Sequence, residues 1–572
     1  MYRDRYICSE RVEYLTEIYY QYFTKGEPLF SGIFKLFRDL LIIGDDPVNA
    51  EMTIPSSETT KPQKVLLGSV TALAQSAWMG FALASDVLEQ LRLSPTGILR
   101  RVQVIRPAIP RGLSLKNLLT REYSVSEASF ILMASFFLSA ALGAVRQVLF
   151  NAQFGVSPEA NAYYAAFRLP DTLFSLIAGG ALSSAMIPVL LNARQKDGEA
   201  SGWRLISMVL TALLSVFALL IIAVEIFTPA LVTRLLAPGF DAETAALTVT
   251  LTRIMLIQPL ILLLGSVATA VLNSRNQFLL TGLSVVSHNI SLIASILSLK
   301  LFPELGIFGP TVGVIGGAVL QALILSPGLR GEGYRVGLFF DLANERLGEV
   351  VRLLIPNGLS VSVNYAGFIV DTSYATRAAN PAGLAAIYNA FLLVGLPIAL
   401  LGQAIGQATF PRLAAQAESG NWSEMRRILF RSLGASIALA IPAVGALLLL
   451  GRPTIRILFE RGEFTSAAGD LTFSVLVAYA IALPAYVATE VITRGLISLR
   501  DTRTPLFTNS GQLVARILLI SLLLPSMDVV AIPTAFAISA TLETITLGSV
   551  LLFKLRSKVQ LEPTVPTMAM ER

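Results

Sequence analysis

From about residue 125 onward, the chain alternates between long apolar stretches and short polar breaks. Each stretch is long enough to cross a bilayer, and a backbone within lipid must satisfy its own hydrogen bonds, so each is predicted to be helical. Several exceed the minimum length for one crossing, which indicates tilt or extension into the cytoplasm. The pattern predicts about twelve transmembrane helices, at residues 125–150, 162–193, 205–236, 245–273, 278–302, 306–326, 348–374, 384–415, 428–450, 467–498, 505–525 and 529–555.

Basic residues are concentrated in alternate loops between these segments. They follow the second, fourth, sixth, eighth, tenth and twelfth segments, which places them on one side of the membrane. The positive-inside rule makes this side cytoplasmic, so both termini are predicted to be cytoplasmic. Arg452, Arg456 and Arg461, after the ninth segment, weaken the contrast.

The two halves of the membrane part repeat one another. AYYAAF at 162–167 resembles AIYNAF at 386–391. Because six segments bring the chain back to the same side, the two repeats are predicted to be parallel, facing each other across a central cavity. Three further pairs lie 223, 224 and 225 residues apart, namely Pro188/Pro411, Phe240/Phe464 and Pro259/Pro484.

The first part of the chain differs in composition, with an acidic GDDP, a Ser/Thr/Pro run and a basic stretch. We predict an N-terminal cytoplasmic extension at 1–122, which would be free to recruit a cytoplasmic partner. Within it, 65–85 is uncharged and is either an extra or re-entrant membrane helix or an amphipathic surface helix. The predicted domains are this extension, a first six-helix bundle at 123–335, a second at 336–556, and a cytoplasmic tail at 557–572.

Composition narrows the class further. Hydrophobic residues make up 54% of the chain and charged residues 14%, with a mean hydropathy of +0.66, which is typical of an all-α polytopic membrane protein. The net charge of +6 is explained by basic loops, so nucleic acid is not an expected partner. Cys8 is the single cysteine and His288 the single histidine, which argues against a disulfide framework, a metal site or a catalytic triad. The sequence lacks a phosphate-binding GxxxxGK[ST] loop. A transporter without a cofactor is therefore expected, not an enzyme.

Several motifs then point to a family. The stretch from Arg146 to Pro188, together with LAPGF at 236–240, LFERGEFT at 458–465 and RDTRTP at 500–505, resembles the MurJ/MviN family. That family belongs to the multidrug/oligosaccharidyl-lipid/polysaccharide exporter superfamily. The resemblance implies a MATE-like fold in the bacterial inner membrane and the flipping of lipid II, the undecaprenyl-linked peptidoglycan precursor, by alternating access. It also implies membrane lipids and a lipid-linked anionic substrate as partners; no sequence feature calls for an oligomer, and a monomer is expected.

Arg146 and Arg168 match basic residues of the family motif and are the predicted substrate-binding residues. An arginine inside a membrane segment usually faces a cavity or a partner; alternatively, Arg146 snorkels to the interface or pairs with Asp171 or Glu159. Elsewhere the sequence departs from the family: lipid II flippases commonly have arginines at the positions of Ala140, Phe174 and Leu392, and Asp and Glu at those of Asn161 and Gly179.

Asp371 resembles the family's acidic residue at a sodium site, where neighbouring helices supply Arg516 and Glu543. Either a cation binds there or Asp371 and Arg516 form an internal ion pair, and we favour the pair. His288 could serve a proton-coupled step, although a lone histidine is more often a hydrogen-bonded polar residue. Coupling to sodium, protons or the membrane potential therefore stays open. Glu225 and Arg253 are predicted to form a salt bridge between two helices. Glu490 and Arg494, four residues apart, are predicted to form a local pair on one helix.

Three functions remain open from the sequence. The first is a lipid II flippase. The second is an exporter of another lipid-linked oligosaccharide or amphipathic molecule on the same fold, which the departures at Ala140, Phe174 and Leu392 favour. The third is a transport-inactive membrane scaffold whose N-terminal extension recruits partners.

Overall fold

The computed structural model of the chain describes residues 121–177, 181–331, 334–341 and 343–560. The predictions for the N-terminal extension, including the segment 65–85, therefore lie outside the described residues, and so does Gly179. The regular structure of the described part is helical apart from two short strands of two residues each. Its helices are α1 Val125–Phe154, α2 Pro158–Ile177, α3 Ala181–Leu231, α4 Ala242–Met255, α5 Gln258–Ser274, α6 Phe278–Ser298, α7 Phe308–Leu325, α8 Glu345–Arg377, α9 Gly383–Pro397, α10 Ala404–Glu418, α11 Trp422–Leu458, α12 Ser466–Ser498, α13 Arg503–Met527 and α14 Ala531–Gln560.

These helices follow the apolar pattern of the sequence. Within the described ranges, nine helical stretches are long and apolar enough to cross a membrane. Two of them, at 182–236 and 503–558, hold 55 and 56 residues, whereas one crossing needs about 20. Both are interrupted: Gly198 has a non-helical φ of 80°, and Asp528 has a φ of 48°. Each stretch therefore turns back within its length, in agreement with two separate predicted segments.

Proline accounts for further breaks within single crossings. α9 ends at Pro397, a π-helical turn follows at Ile398–Gln403, and α10 then begins. Proline removes one backbone donor and clashes with the preceding turn, so the helix must adjust there. α4 and α5 likewise form one crossing with Pro259 at the start of the second helix.

α2 and α8 are not among the nine apolar stretches. α2 carries Arg168 and Asp171, and α8 carries Asp371. In a membrane protein the more polar helices are expected to face other helices or a cavity and not lipid. α2 and α8 are accordingly packed against one another.

Most helix–helix contacts lie within one half of the molecule, and a smaller set joins the two halves. In the first half, α6 packs on α1 and α7, α5 on α3, and α2 on α4; in the second, α12 packs on α9, α11 and α14, and α13 on α14. Contacts between the halves come from α2 with α8 and α9, and from α3 with α8. The largest buried cluster includes residues from both halves, among them Phe150, Tyr164, Ala386 and Tyr479.

The connection between the halves is bonded to α3. A hairpin pairs β1, Arg330–Gly331, with β2, Tyr334–Arg335. The backbone N–H of Phe339 then donates to Thr211 Oγ1 at 2.9 Å, and that of Gly337 to Ser207 Oγ at 3.3 Å. This extended segment holds the start of α8 against α3. The predicted domain boundary between 335 and 336 falls in this connection and stays a prediction.

Candidate functional site

A cavity of about 230 Å³ lies between α2 of the first half and α8, α9 and α12 of the second. We call it the central cavity. Its residues come from both halves, so movement of one half against the other must change its shape. It is lined by Arg168, Asp171, Tyr365, Phe368, Asp371, Thr372, Leu384, Ile387, Tyr388, Phe391, Leu392 and Tyr479.

Arg168 is the cation that the first half contributes to this cavity. Its Nε atom donates to Thr372 Oγ1 at 3.3 Å, and its guanidinium lies over the rings of Phe368 and Tyr388, at 5.2 and 5.6 Å from their centroids. Aromatic faces attract a cation and hold it in place. A guanidinium has five N–H donors, and among the described residues only the Nε donor has a hydrogen bond. The group is therefore suited to binding a phosphate oxygen in the cavity.

Asp371 and Arg516 are brought together by α8 and α13. Arg516 Nη2 donates to Asp371 Oδ2, and the two residues are only 7% and 5% exposed. The Arg516 guanidinium also lies 4.6 Å from the ring centroid of Phe536. Asp371 Oδ1 and Arg516 Nε are buried without a hydrogen-bond partner in the described part of the chain. A buried pair with unsatisfied atoms is costly to keep, which marks it as a candidate for a functional element.

Glu543 is not part of this pair. It lies in a second cavity on the other side of Arg516, where Glu490 is its acidic neighbour. Glu490 forms a 3.7 Å ion pair with Arg494 one turn along α12. Of the three residues that the family resemblance grouped into one cation site, Asp371 and Arg516 form an ion pair, whereas Glu543 lies in the second cavity, which Arg516 also lines.

Arg146 and His288 lie near each other, outside the central cavity. Arg146 Nη1 donates to Asn289 Oδ1 at 3.2 Å, and Asn289 in turn donates to Ser139 Oγ at 2.9 Å. Arg146 lines a pocket of about 50 Å³ that shares Tyr388 with the central cavity. His288 Nδ1 faces Gly317 on α7 and has no hydrogen-bond partner among the described residues. The pocket of Arg146 and the central cavity thus share one aromatic side chain, Tyr388.

A buried polar network joins the two halves beside this pocket. Gln147 Nε2 donates to Tyr164 Oη at 2.6 Å and to Asn389 Oδ1 at 2.9 Å, and Asn151 Nδ2 donates to the same Asn389 oxygen at 2.8 Å. The rings of Tyr164 and Tyr388 stack with centroids 4.2 Å apart. Asn151 and Asn389 are fully buried. Such a satisfied network specifies one arrangement of the two halves.

More contacts between the halves lie at the same end, which we call the closed end: residues 152–164 of the first half and 376–389 with 459–464 of the second. Asn161 Nδ2 donates to the carbonyl of Pro381 at 2.8 Å, and its Oδ1 accepts from the N–H of Ala385 at 2.9 Å. The N–H of Glu463 donates to the carbonyl of Ala152 at 3.0 Å. Asn161, which sequence comparison marked only as the loss of an acidic residue, thus connects the two halves.

Sequence reasoning did not identify Gln147, Asn151, Tyr164 and Asn389. A signal was present, because Tyr164 and Asn389 both lie within the repeated hexapeptides at 162–167 and 386–391. Asn and Gln inside apolar helices indicate hydrogen bonding across helices. The helices that pair cannot be read from the sequence, since Gln147 and Asn389 are 242 residues apart.

The positions that depart from the family pattern fall in different environments. Leu392 lines the central cavity. Phe174 packs against a buried cluster of α3 and α5 residues that includes Met186 and Val267, and Ala140 is exposed on α1. Of these three positions, Leu392 is the one that lines the central cavity. No group of three or more His, Cys, Asp or Glu residues suited to a metal ion occurs within the described residues.

Comparisons with known proteins agree with this geometry. A family model described as lipid II flippase MurJ matches residues 150–565. Probable lipid II flippases MurJ of Rhizobium meliloti (strain 1021) and Rhizobium tropici are 27% and 29% identical, over 72% and 71% of this chain and 78% and 76% of the relatives. The lipid II flippase MurJ of Burkholderia cenocepacia is 29% identical over 66% of this chain and 74% of its own length.

Solved structures show the same fold. A lipid II flippase MurJ in an inward closed conformation matches with a TM-score of 0.65 at 23% identity, over 76% of this chain and 90% of the other. An inward-facing multidrug resistance MATE family transporter also matches with a TM-score of 0.65, at 14% identity, over 74% and 96%. The described structure is thus an all-helical, MATE-like membrane fold. Because the family model spans well over half of the sequence, the chain belongs to the lipid II flippase MurJ family.

Proposed function

We propose that this chain moves lipid II across the bacterial inner membrane by alternating access, for peptidoglycan synthesis, as a transporter and not an enzyme. Its membership of the MurJ family supports the substrate class. The basic loops support an orientation with both termini in the cytoplasm, which puts the closed end outside. In this orientation the chain accepts its substrate from the inner leaflet.

The observation that carries the proposal is the central cavity with Arg168, next to a closed end built by both halves. Lipid II carries a pyrophosphate, and arginine recognises phosphate oxygens through its planar fork of donors. Arg168 is held over two aromatic rings, with most of its donors free within the described structure to meet such a group. Arg146 would join it once Tyr388 moves, since that ring lines the spaces of both arginines.

The size of the cavity indicates that the halves must separate to admit the substrate. At about 230 Å³, it lies below the range of roughly 300–1,000 Å³ that is typical of drug-sized ligand sites. A disaccharide with a peptide is larger than such ligands. The described conformation therefore represents a state without room for the whole head group, and transport requires the closed end and the opposite end to open in turn.

We infer that coupling does not use a sodium ion at Asp371 in this conformation. Arg516 already neutralises that carboxylate, so a second cation would have to displace it. The membrane potential acts on any charge that crosses the membrane, with about 2.3 kcal/mol per charge per 100 mV, and a proton remains the other candidate. His288 lies outside the central cavity, and its Nδ1 atom has no hydrogen-bond partner among the described residues.

A second candidate function has one specific observation in its favour. Leu392 lines the central cavity at a position where lipid II flippases commonly have an arginine. With fewer cations, the cavity suits an anionic lipid-linked glycan that carries less phosphate charge. The scaffold alternative depends on the N-terminal extension and predicts that Arg168 is dispensable.

The test is complementation in cells depleted of their own lipid II flippase, with survival and outer-leaflet lipid II as readouts. The wild-type chain is expected to rescue, Arg168→Ala to fail, and Arg168→Lys to rescue partly. Arg253→Ala is the matched control, because Arg253 is also an arginine in the helical part but pairs with Glu225 at 3.3 Å on an exposed surface. Failure to rescue despite membrane insertion would contradict the lipid II proposal. Rescue by Arg168→Ala would contradict the role of the cavity.

A further inference from the structure

Two carboxylates line the central cavity, and they differ in what surrounds them. Asp371 is paired with Arg516 from α13. Asp171, on α2, forms no hydrogen bond and no ion pair with another described residue. Its side chain is only partly buried, and its oxygens are not among the fully buried polar atoms that lack a partner. The Asp171 carboxylate is therefore open to the cavity and can reach a ligand there.

Arg168 does not neutralise Asp171, although it lies one turn before it on the same helix. Side chains three residues apart on a helix have Cβ atoms about 5–6 Å apart, and opposite charges at that spacing usually attract. Here the guanidinium is held by Thr372 and by the rings of Phe368 and Tyr388. The helix α2 thus presents a cation and an anion to the cavity side by side. Because both belong to one helix, their spacing persists when the two halves separate.

The carboxylate is unfavourable unless it meets a hydrogen-bond donor. An unpaired charge is costly at membrane depth, and a negative charge beside Arg168 repels the phosphate that Arg168 is proposed to bind. A neutral side chain would suit a cavity that recognised phosphate alone. A carboxylate becomes favourable when another part of the same ligand donates to it, since hydrogen bonds to an ionised acceptor are stronger than those to a neutral one.

The other walls of the cavity suit a sugar ring next to that phosphate. Tyr365 and Phe391 line the cavity, and no guanidinium covers either ring in the described structure. Ligand sites commonly combine such aromatic walls with a few polar groups that fix orientation. In lipid II the pyrophosphate is joined directly to a sugar that carries a hydroxyl group and an acetamido N–H. A carboxylate one helical turn from Arg168 is placed to accept from these donors.

We propose that Asp171 is a specificity-determining residue, which accepts a hydrogen bond from the sugar that is joined to the pyrophosphate. It makes the cavity distinguish a glycan-bearing lipid from bare undecaprenyl pyrophosphate, the carrier that remains when the glycan is removed. Arg168 contacts the part that both lipids share, and Asp171 the part that only one has. This inference rests on the proposed function, because it takes lipid II as the ligand.

The test measures binding of three lipids to the purified full chain in nanodiscs, by competition with fluorescent lipid II at constant ionic strength. The lipids are lipid II, undecaprenyl-pyrophosphoryl N-acetylglucosamine, which has a sugar and no peptide, and undecaprenyl pyrophosphate. We expect the wild type to bind both sugar-bearing lipids more tightly than undecaprenyl pyrophosphate. The ratio of dissociation constants between the bare and the sugar-bearing lipids measures this selectivity.

Variants of the two α2 residues separate the two roles. Asp171→Leu is expected to lower the selectivity ratio about tenfold or more, and Asp171→Asn to lower it less, because its amide oxygen still accepts a hydrogen bond. Arg168→Ala is expected to weaken binding of all three lipids. Glu225→Gln is the matched control, since it removes a carboxylate that pairs with Arg253 elsewhere. A cooperative unfolding transition in each variant shows that it is folded.

The outcomes distinguish this inference from the proposed function. Absence of saturable lipid II binding, or binding that Arg168→Ala leaves unchanged, would contradict both. If Arg168→Ala weakens binding, the role of Asp171 alone is overturned by an unchanged selectivity ratio in Asp171→Leu. It is overturned equally by tighter binding of all three lipids, which would show that Asp171 only repels phosphate. An effect confined to lipid II would assign Asp171 to the peptide and not to the sugar.

Discussion

Asp371 and Arg516 show how one buried residue depends on another within this fold. Each is nearly inaccessible, and each leaves one polar atom without a hydrogen bond in the described structure. The desolvation of two charges opposes their attraction, so the pair adds little net stability while it is intact. Removal of one partner leaves the other as an uncompensated charge, and the cost is then large.

We therefore predict that Asp371→Asn or Arg516→Gln alone lowers the free energy of unfolding by about 3–5 kcal/mol. The double variant is expected to recover much of this loss, because neither charge remains unpaired. Thermal unfolding of the purified protein measures the effect as a double-mutant cycle. Additive losses in the double variant would show that the two side chains do not stabilise each other.

Asp501 behaves differently because it lies in the turn between α12 and α13, outside the membrane-spanning segments. Partial burial raises its pKa, but hydrogen bonds from Lys554 Nζ and from the Thr504 side chain and backbone outweigh this and hold the pKa at about 2. A carboxyl whose pKa is lower in the folded state stabilises the fold above its unfolded pKa, about 4. That stabilisation is lost as the pH falls from about 4 to about 2.

The prediction is that wild-type protein has a higher melting temperature than Asp501→Asn at pH 6, and that the difference shrinks as the pH falls towards 3. Differential scanning fluorimetry in detergent at matched ionic strength measures it. Glu304→Gln, at an exposed position, serves as the control and should show no such convergence. A difference between wild type and Asp501→Asn that stays constant with pH would contradict the role of the Lys554 contact.

The residues also show which contacts a sequence can predict. Charged residues in apolar segments, such as Asp371 and Arg516, stand out because they are expensive in lipid. Helix packing decides which of them meet, so Glu543 could be recognised as unusual, but its place in the second cavity beside Glu490 could not be predicted. The polar network at Gln147 and Asn389 is harder still to predict from the sequence, since uncharged amides are also common in helices that make no hydrogen bond to one another.

At the scale of elements, the closed end depends on close approach of backbone segments. Gly462 has a φ of 60°, and a Cβ atom there would meet the carbonyl of Ala152 across the interface between the halves. Gly420 has a similar φ of 73°, but a Cβ atom there would have nothing within 4 Å. The two glycines share their backbone strain and differ in the contact.

We predict that Gly462→Ala loosens the closed end while Gly420→Ala does not. Both changes place a Cβ atom on a left-handed backbone, which costs about 1–2 kcal/mol. A difference in labelling rate between the two variants therefore reports the clash with Ala152. A cysteine at Ala385, which is fully buried at this end, would be introduced after Cys8→Ser. Faster labelling by an impermeant maleimide in the Gly462→Ala background, relative to Gly420→Ala, is the expected result. Equal rates would show that the approach of Gly462 to Ala152 does not hold this end closed.

The helices themselves were largely predictable. Apolar runs fixed the twelve predicted segments, because a membrane helix needs a long uninterrupted run. The breaks within the helices were harder to predict. Pro397 marks the π turn that follows it, but Arg500 and Asp528 adopt positive φ angles that the preferences of these residue types do not predict. These positions are set by the path of the chain between packed helices.

At the scale of the whole molecule, the two halves form a pair that meets at the closed end and encloses the central cavity. The repeated hexapeptides place equivalent helices, α2 and α9, on opposite sides of that contact. An alternating-access protein needs such an interface to be stable in one state and broken in the other, so the network around Asn389 must exchange its hydrogen bonds during transport. Because this network is buried, breaking its hydrogen bonds raises the energy barrier to opening the closed end, and substrate binding has to lower that barrier.

We predict that a disulfide across the closed end stops transport reversibly. Cysteines would replace Asn161, whose side-chain oxygen accepts from the backbone N–H of Ala385 at 2.9 Å, and Ala385 itself, in a chain that also carries Cys8→Ser. A disulfide between them would lock the halves together. Oxidation is expected to abolish rescue of flippase-depleted cells and reduction to restore it, relative to each single-cysteine control. Undiminished rescue with the disulfide formed would rule out opening of this end as a transport step.

The central claim is that Arg168 in the central cavity binds the pyrophosphate of lipid II during translocation. It is tested most directly by flipping of fluorescent lipid II in proteoliposomes that contain wild-type protein, Arg168→Ala, or the Arg253→Ala control. We expect flipping by the wild type and the control, and a rate for Arg168→Ala that is lower by about tenfold or more. Equal rates for Arg168→Ala and the wild type would contradict it.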